Sequence, residues 1–318
     1  MNNNSFASLK TTSDPAIDRF FLQHLELPRP ISWQNIFGRQ APLVVEIGFG
    51  DGEYLIASAK KNPGKDFIGI EISGGLIRKT LKRIAAQKLS NVRLLKIHAT
   101  IALEYLFEKN SLAEIYALFP FPWPKKRHYR HRLFNTKFLR LANNRLNLGG
   151  TFMVTTDYKP YFDWILKQNK DAGFQLKKHH IKPQFHTRFE RKWKEEGQKK
   201  FFQLVFIKKT HKKILAKKEY TLGTLSCATF DPKACKFKSI TGPKSIIFKY
   251  FDLDAKRKTA KVGILTAEEN LTQRFSVLIK KEGPRWEMCV NEQDRILRTA
   301  TVKKALEEIL KSCRKTRS

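Results

Sequence analysis

Glu46-Ile-Gly48-Phe-Gly50-Asp-Gly52 puts three glycines on alternate positions directly after a short apolar run, Leu43–Ile47. Glycines at this spacing let the backbone turn tightly and approach a ligand, with the N-terminus of the following helix behind it. A dinucleotide fingerprint, G-x-G-x-x-G, needs glycine at position 53, where this chain has Glu53, which argues against NAD and FAD. An acidic side chain at the strand's end, Glu46, suits a ligand bearing a cationic amine and repels a pyrophosphate. About twenty residues on, a second strand ends in Glu71, where a carboxylate can accept hydrogen bonds from both ribose hydroxyls. The glycines alone would be read as a structural turn. With Glu46 and Glu71 they describe a pocket for a nucleoside that carries an amino acid, the chemistry of S-adenosylmethionine.

A second constellation, Leu118-Phe-Pro-Phe-Pro-Trp-Pro-Lys-Lys-Arg-His-Tyr-Arg-His-Arg132, runs from an apolar strand end into seven cationic or potentially cationic side chains. Pro120, Pro122 and Pro124 each fix a backbone dihedral and remove a donor, so the loop is expected to stay extended and neither continue a sheet nor start a helix. A lysine and arginine run by itself is usually a solvated loop. Flanked by Trp123 and Tyr129 it fits RNA, because cations hold phosphates while aromatic faces stack on bases. Lys125, Lys126, Arg127, Arg130 and Arg132 are expected to grip phosphates, with Arg188, Arg191 and Lys192 as a second patch. The tail residues Lys311, Arg314, Lys315 and Arg317 either extend that track or merely keep the chain end solvated.

The elements that must position these residues alternate. Strands are expected at 43–47, 67–72, 92–97, 115–119 and 152–156, and helices at 53–61, 77–88, 101–107, 137–146 and 161–172, the fourth helix stopped by Gly149-Gly150. This alternation argues for right-handed crossovers and a parallel sheet covered on both faces. Segments 174–178 and 201–207 are expected to close it as a reversed pair at the edge. After a lysine-rich stretch at 210–218, period-two segments at 245–251, 261–265, 274–281 and 285–290 precede an amphipathic helix from about 302 to 313, a small antiparallel α+β unit. The expected organisation is a lead-in (1–40), an α/β domain (41–210), a basic linker (211–219) and a smaller α+β domain (220–318).

The chain has 318 residues, 41% hydrophobic and 12% aromatic, enough for a sizeable core, and a formal charge of +33. Such a field attracts polyanions and speeds their encounter. No stretch approaches the ~18 apolar residues of a spanning helix, so no membrane is expected. The N-terminus lacks the regions of a signal peptide. Cys227, Cys235, Cys289 and Cys313 show no C-x-x-C spacing and no nearby histidines in sequence, so no metal is expected and a reduced, cytoplasmic setting fits best.

Glu46-Ile-Gly-Phe-Gly-Asp-Gly52, Phe67-Ile-Gly-Ile-Glu71, Pro122-Trp-Pro-Lys-Lys-Arg-His128, Gly150…Thr156-Asp157 and Thr187-Arg-Phe-Glu190 together resemble the bacterial tRNA (guanine-N7)-methyltransferases over residues 40–210. The resemblance implies a Rossmann-like, seven-stranded class I methyltransferase fold, S-adenosylmethionine as donor, and a guanine in the tRNA variable loop as acceptor. By carry-over, Glu46, Gly48, Gly50, Gly52, Glu71 and His98 would bind the cofactor. Lys125, Arg127, Asp157, Thr187, Arg188, Phe189 and Glu190 would bind the tRNA. The region beyond 215 resembles C-terminal extensions that some members carry.

The chain departs from the family pattern twice. The family places an aspartate, the usual candidate for the catalytic residue, between the prolines where this chain has Phe121. It also places an acidic or amide residue against the adenine, where this chain has His98. The alternative reading is therefore a catalytically impaired or inactive tRNA-binding relative. A methyltransferase acting on protein or small molecules keeps the glycine loop but leaves the basic charge unexplained. If the enzyme is active, Asp157 or Glu190 is expected to supply the negative charge that the missing aspartate would have given.

Overall fold

The computed structural model describes residues 19–197, 200–215, 217–232 and 235–313. The last residues of the expected basic track (Arg314, Lys315, Arg317) and the start of the lead-in lie outside the described residues. The chain divides into two compact units that meet in sequence at residues 216 and 217.

In chain order the first unit contains α1 (Trp33–Phe37), β1 (Leu43–Ile47), α2 (Glu53–Lys61), β2 (Asp66–Glu71), α3 (Gly74–Ala86), β3 (Val92–Lys96) and α4 (Ala99–Tyr105). It continues with β4 (Leu112–Leu118), a 3₁₀ turn (Lys126–His131), α5 (Thr136–Arg145), β5 (Leu146–Thr156), α6 (Lys159–Gln168), β6 (Phe174–Ile181), α7 (Arg188–Glu195) and β7 (Phe201–Lys208). The seven strands lie in the order β3-β2-β1-β4-β5-β7-β6. Strand β7 runs antiparallel to both of its neighbours, and the pairings among β1 to β5 are parallel. This is the Rossmann-like α/β fold with the order of class I methyltransferases. Central strands β1 and β2 are buried along their whole length, as a parallel sheet covered on both faces requires. The chain order reverses between β1 and β4, and ligands of open α/β sheets bind outside the carboxyl ends of strands at such a point.

Helix α2 shows why this sequence folds as it does. Gly52 sits in the left-handed region at its N-cap, where a side chain would overlap Thr80. Leu55, Ile56 and Ala59 turn one face into the core, and Glu53 at the start with Lys60 and Lys61 at the end complement the helix dipole.

Two expectations need correction, and one helix is added. The helix before Gly149-Gly150 is not stopped by those glycines: α5 ends at Arg145, β5 begins at once at Leu146, and the glycines lie inside that long strand beside a register shift against β4. The prolines hold 120–124 free of helix, yet a 3₁₀ turn begins two residues after Pro124. Helix α7 was not foreseen. In addition, His211 and Lys212 are pinned to α5: Lys212 N–H donates to Asn143 Oδ1 (2.8 Å) and Asn144 Nδ2 donates to the Lys212 carbonyl (3.0 Å). Buried Lys208 anchors the same segment by donating to Asn110 Oδ1 and the Leu146 carbonyl, both at 2.7 Å.

The second unit is a five-stranded antiparallel sheet of β8 (Leu225–Cys227), β9 (Ser245–Asp254), β10 (Thr259–Glu268), β11 (Leu271–Glu282) and β12 (Arg285–Val290), in the order β8-β12-β11-β10-β9. Helix α8 (Ala300–Cys313) packs Val302, Ala305, Leu306 and Ile309 against its inner face, at the spacing of an amphipathic helix. All four cysteines are free thiols. No helix among the described residues is long and apolar enough to cross a membrane.

Candidate active site

Outside the carboxyl ends of β1 and β4 lies an open cleft enclosing about 650 Å³, its solvent-filled mouth included. Its floor is Glu46 and the glycine loop, Gly48 to Asp51; one wall is Leu118 and Phe119; its roof is Thr187, Arg188 and Phe189. Two motifs about 140 residues apart in sequence thus face each other across one space.

Gly48 and Gly50 both take left-handed backbone angles, which a side chain there would strain. The Gly48 N–H donates to the Ile70 carbonyl (2.8 Å), which locks the loop to the end of β2. Glu71 braces it further, its Oε2 accepting from Gly50 N–H (3.3 Å) and its Oε1 from the Ile72 and Ser73 N–H groups (2.7 and 3.0 Å). In this state Glu71 shapes the loop. Lys79 pairs with Asp51 (3.2 Å) and Arg83 donates to its carbonyl (2.5 Å), so α3 holds the loop from its other side.

Glu46 is buried, its Oε2 has no hydrogen-bond partner, and burial pushes its carboxyl up to about 8. An isolated buried carboxyl of this kind is costly to ionise and invites a cationic partner. With Asp51 and Glu53 also on the lining, the cleft has an acidic floor.

The roof explains helix α7. Thr187-Arg-Phe-Glu190 has the capping-box pattern with one half formed: Thr187 Oγ1 accepts from the Glu190 N–H (3.2 Å), while the Glu190 carboxylate reaches further back, accepting from the Gln184 and His186 N–H groups, both at 2.5 Å. Glu190 is 3% exposed, so its charge is committed to the backbone, while Arg188 and Phe189 face the cleft. Arg191 clamps the roof to the floor, donating from Nη2 to Glu53 Oε1 (2.7 Å) and from Nη1 to the His186 carbonyl (2.5 Å). Phe185 packs edge-on against Tyr54 of α2 (5.3 Å). Arg191, Glu53 and Phe119 were not singled out for these contacts, although the T-x-x-E pattern was a readable helix-start signal.

The remaining expected residues are not on the lining of this cleft. His98 caps α4, its Nδ1 accepting from Thr100 N–H (3.3 Å), which in a neutral ring places the proton on Nε2. Asp157 follows the end of β5, where the Thr155 carbonyl accepts from Phe119 N–H (2.8 Å); burial raises its pKa. Lys125 and Arg127 are exposed on the proline loop. Arg132 does not grip phosphates. It is 2% exposed, its Nε donates to the Pro122 carbonyl (2.9 Å), and its guanidinium lies 3.5 Å from the Tyr129 ring centroid and 5.1 Å from that of Tyr161. Phe121 is 67% exposed and is not part of the cleft lining.

Residues 40–203 match a family model described as "Putative methyltransferase". A tRNA (guanine-N(7)-)-methyltransferase of Thermotoga maritima is 32% identical over 307 residues, covering 92% of this chain and 96% of that one. A protein of the same name from Chlorobium phaeobacteroides is 45% identical over 181 residues, 57% of this chain and 89% of its own length. Among solved structures, the 16S rRNA methyltransferase KamB superimposes with a TM-score of 0.46 at 16% identity, over 56% of this chain and 93% of that one.

Proposed function

This chain belongs to the tRNA (guanine-N7)-methyltransferase family, and we propose that it transfers a methyl group from S-adenosylmethionine to N7 of a guanine in the tRNA variable loop. The observation that carries this reading is Glu46, a buried carboxyl without a partner at the foot of a glycine loop, facing a cleft roofed by Arg188 and Phe189. The ammonium of an amino-acid-bearing nucleoside supplies the missing partner there. Gly48 and Gly50 let the backbone close on the ligand, Gly52 starts the helix behind it, and Glu71 and His98 stand at the ends of β2 and β3 for the ribose and the adenine.

When bound, S-adenosylmethionine supplies a methyl group on a positively charged sulfur. Guanine N7 carries a lone pair and no proton, so no general base is needed, and alignment is the main requirement. The roof residues Thr187, Arg188 and Phe189 hold the guanosine over the cleft, and Lys125 and Arg127 hold adjoining phosphates. Positive charge spreads into the purine as the new bond forms. Asp157 is the carboxylate in this reading that offsets it, because the acidic side chain of Glu190 is already committed to loop N–H groups and acts by positioning the roof.

The impaired alternative rested on Phe121 standing in the aspartate's place and on His98. The Phe121 ring is 67% exposed and is not on the cleft lining, so it leaves the cleft open to a ligand. Incubating the protein with methyl-labelled cofactor and an unmodified tRNA transcript, then digesting to nucleosides, is expected to yield labelled 7-methylguanosine. Cofactor binding without any transfer to RNA would reject the reading.

A further inference from the structure

Phe121 stands 67% exposed in the middle of a loop rich in cations. A single exposed hydrophobic residue would need no explanation. This one is not single. Its ring packs edge-on against Trp123 with centroids 4.9 Å apart, Trp123 lies 4.9 Å from His131 and 5.8 Å from His128, and the two histidines are 6.1 Å apart. Four rings therefore form one aromatic surface.

That surface is held in place. Arg132, buried beneath the loop, donates to the carbonyls of both Pro122 (2.9 Å) and Trp123 (3.4 Å), and its cation is caged by Tyr129, Tyr161 and Trp164. Trp123 takes a positive φ of 46°, an angle that bulky side chains avoid unless the surroundings enforce it. The histidines are held by the flanking arginines: each Nε2 accepts from the Nε of its neighbour, Arg127 at 3.2 Å and Arg130 at 3.4 Å. Desolvation, followed by the charges of Arg127, His131, Lys125 and Arg130, also lowers the pKa of His128. Lys125, Lys126, Arg127 and Arg130 rim the rings, all exposed, and none of them forms an ion pair among the described residues.

We propose that Phe121, Trp123 and His131 form a stacking platform for one unpaired nucleobase of the bound RNA, with the rim cations holding the phosphates on either side of it. The inference rests on the reading that RNA is the substrate, and it assigns Phe121 a task of its own: a nucleotide next to the target guanine is held flat on the loop while the guanine enters the cleft. An aromatic face with cations at its edge matches a base with its phosphates, and stacking tolerates any base because each has a π-face.

The test is binding of an unmodified tRNA transcript to full-length Phe121→Leu, Phe121→Ala, Phe121→Trp and Phe121→Tyr proteins across a salt series, with Lys125→Gln for comparison. Thermal midpoints equal to that of the unsubstituted protein establish that each variant is folded, as expected for an exposed side chain. The leucine and alanine variants are expected to bind roughly 5- to 150-fold more weakly, the loss typical of one stacked base, while tryptophan and tyrosine retain affinity. Because stacking releases no counterions, the leucine line of log affinity against log salt should run parallel to that of the unsubstituted protein. Lys125→Gln should flatten it by about 0.7 to 0.9. Leucine binding RNA as tightly as phenylalanine would overturn the platform, and so would a leucine effect seen only in the salt slope. Loss of self-association or of a protein contact with RNA affinity intact would overturn it too. Failure of the functional reading looks different: the unsubstituted protein would then form no 7-methylguanosine, whatever Phe121 does to RNA binding.

Discussion

Arg191 of α7 and Glu53 of α2 are 138 positions apart in sequence, yet their side chains meet at 2.7 Å. That contact joins the two halves of the cleft, the glycine-loop helix below and the capping-box helix above. Exposed ion pairs contribute little to stability, typically below about 1 kcal/mol, so the pair matters for where it holds the roof. Arg191→Ala is therefore expected to leave the thermal midpoint within a few degrees of the unsubstituted protein while raising KM for tRNA several-fold. An unchanged KM in steady-state assays would show that the clamp has no role in placing the substrate.

Glu190 is a stronger case because it is buried. Glu190→Gln keeps the shape but removes a charge that accepts two short hydrogen bonds, and its amide nitrogen meets an N–H donor. Hydrogen bonds to a charged group are worth about 1.5–3 kcal/mol. Hydrogen exchange of the 184–191 amides should speed up in this variant, with cofactor affinity little changed; undisturbed exchange would mean that the carboxylate does not hold the segment.

The ionisation of Glu46 links cofactor binding to pH. Its carboxyl, held near 8, is largely protonated at neutral pH, and an ammonium ligand favours the ionised form. About one proton should therefore be released per cofactor bound at pH 7, measurable by calorimetry in buffers of different ionisation enthalpy. Glu46→Gln should abolish the release and weaken binding roughly 10- to 100-fold. The cofactor-free protein also carries a stability signature. The unfolded chain ionises Glu46 from about 4.5, whereas the folded one holds the proton until about 8, so stability falls as pH rises through that window. The glutamine variant should lack this fall.

Asp157→Asn is expected to lower kcat about 10²–10³-fold at unchanged cofactor affinity, as when one electrostatic partner of a transition state is lost. Single-turnover rates separate this from slow product release. Full activity in the asparagine variant would show that the purine's developing charge needs no carboxylate from this position.

Much of this was legible in the sequence because the signals are local. The glycine loop, the strand-end glutamates and the alternation of strands and helices depend on neighbours within a few residues, and helix α2 occupies 53–61 as its spacing predicts. The Arg132 side chain was misread as a phosphate ligand because its cage comes from Tyr161 and Trp164 on α6, which no local pattern reveals. The same holds for Lys208, buried against Asn110 and Leu146. The Gly149-Gly150 pair looked like a helix stop because glycine weakens helices, yet the pairing of β5 with β4 overrides that preference. Thr187–Glu190 was recognised as a motif while its capping geometry went unnoticed. Its most acidic member turned out to shape the roof, leaving Arg188 and Phe189 to face the cleft.

The most direct measurement compares two tRNA transcripts that differ only in carrying guanosine or 7-deazaguanosine at the variable-loop target. With methyl-labelled S-adenosylmethionine, the guanosine transcript should take up about one methyl group per molecule and the 7-deaza transcript only background, since the accepting lone pair is gone. Equal labelling of the two, or none in either, would contradict the account.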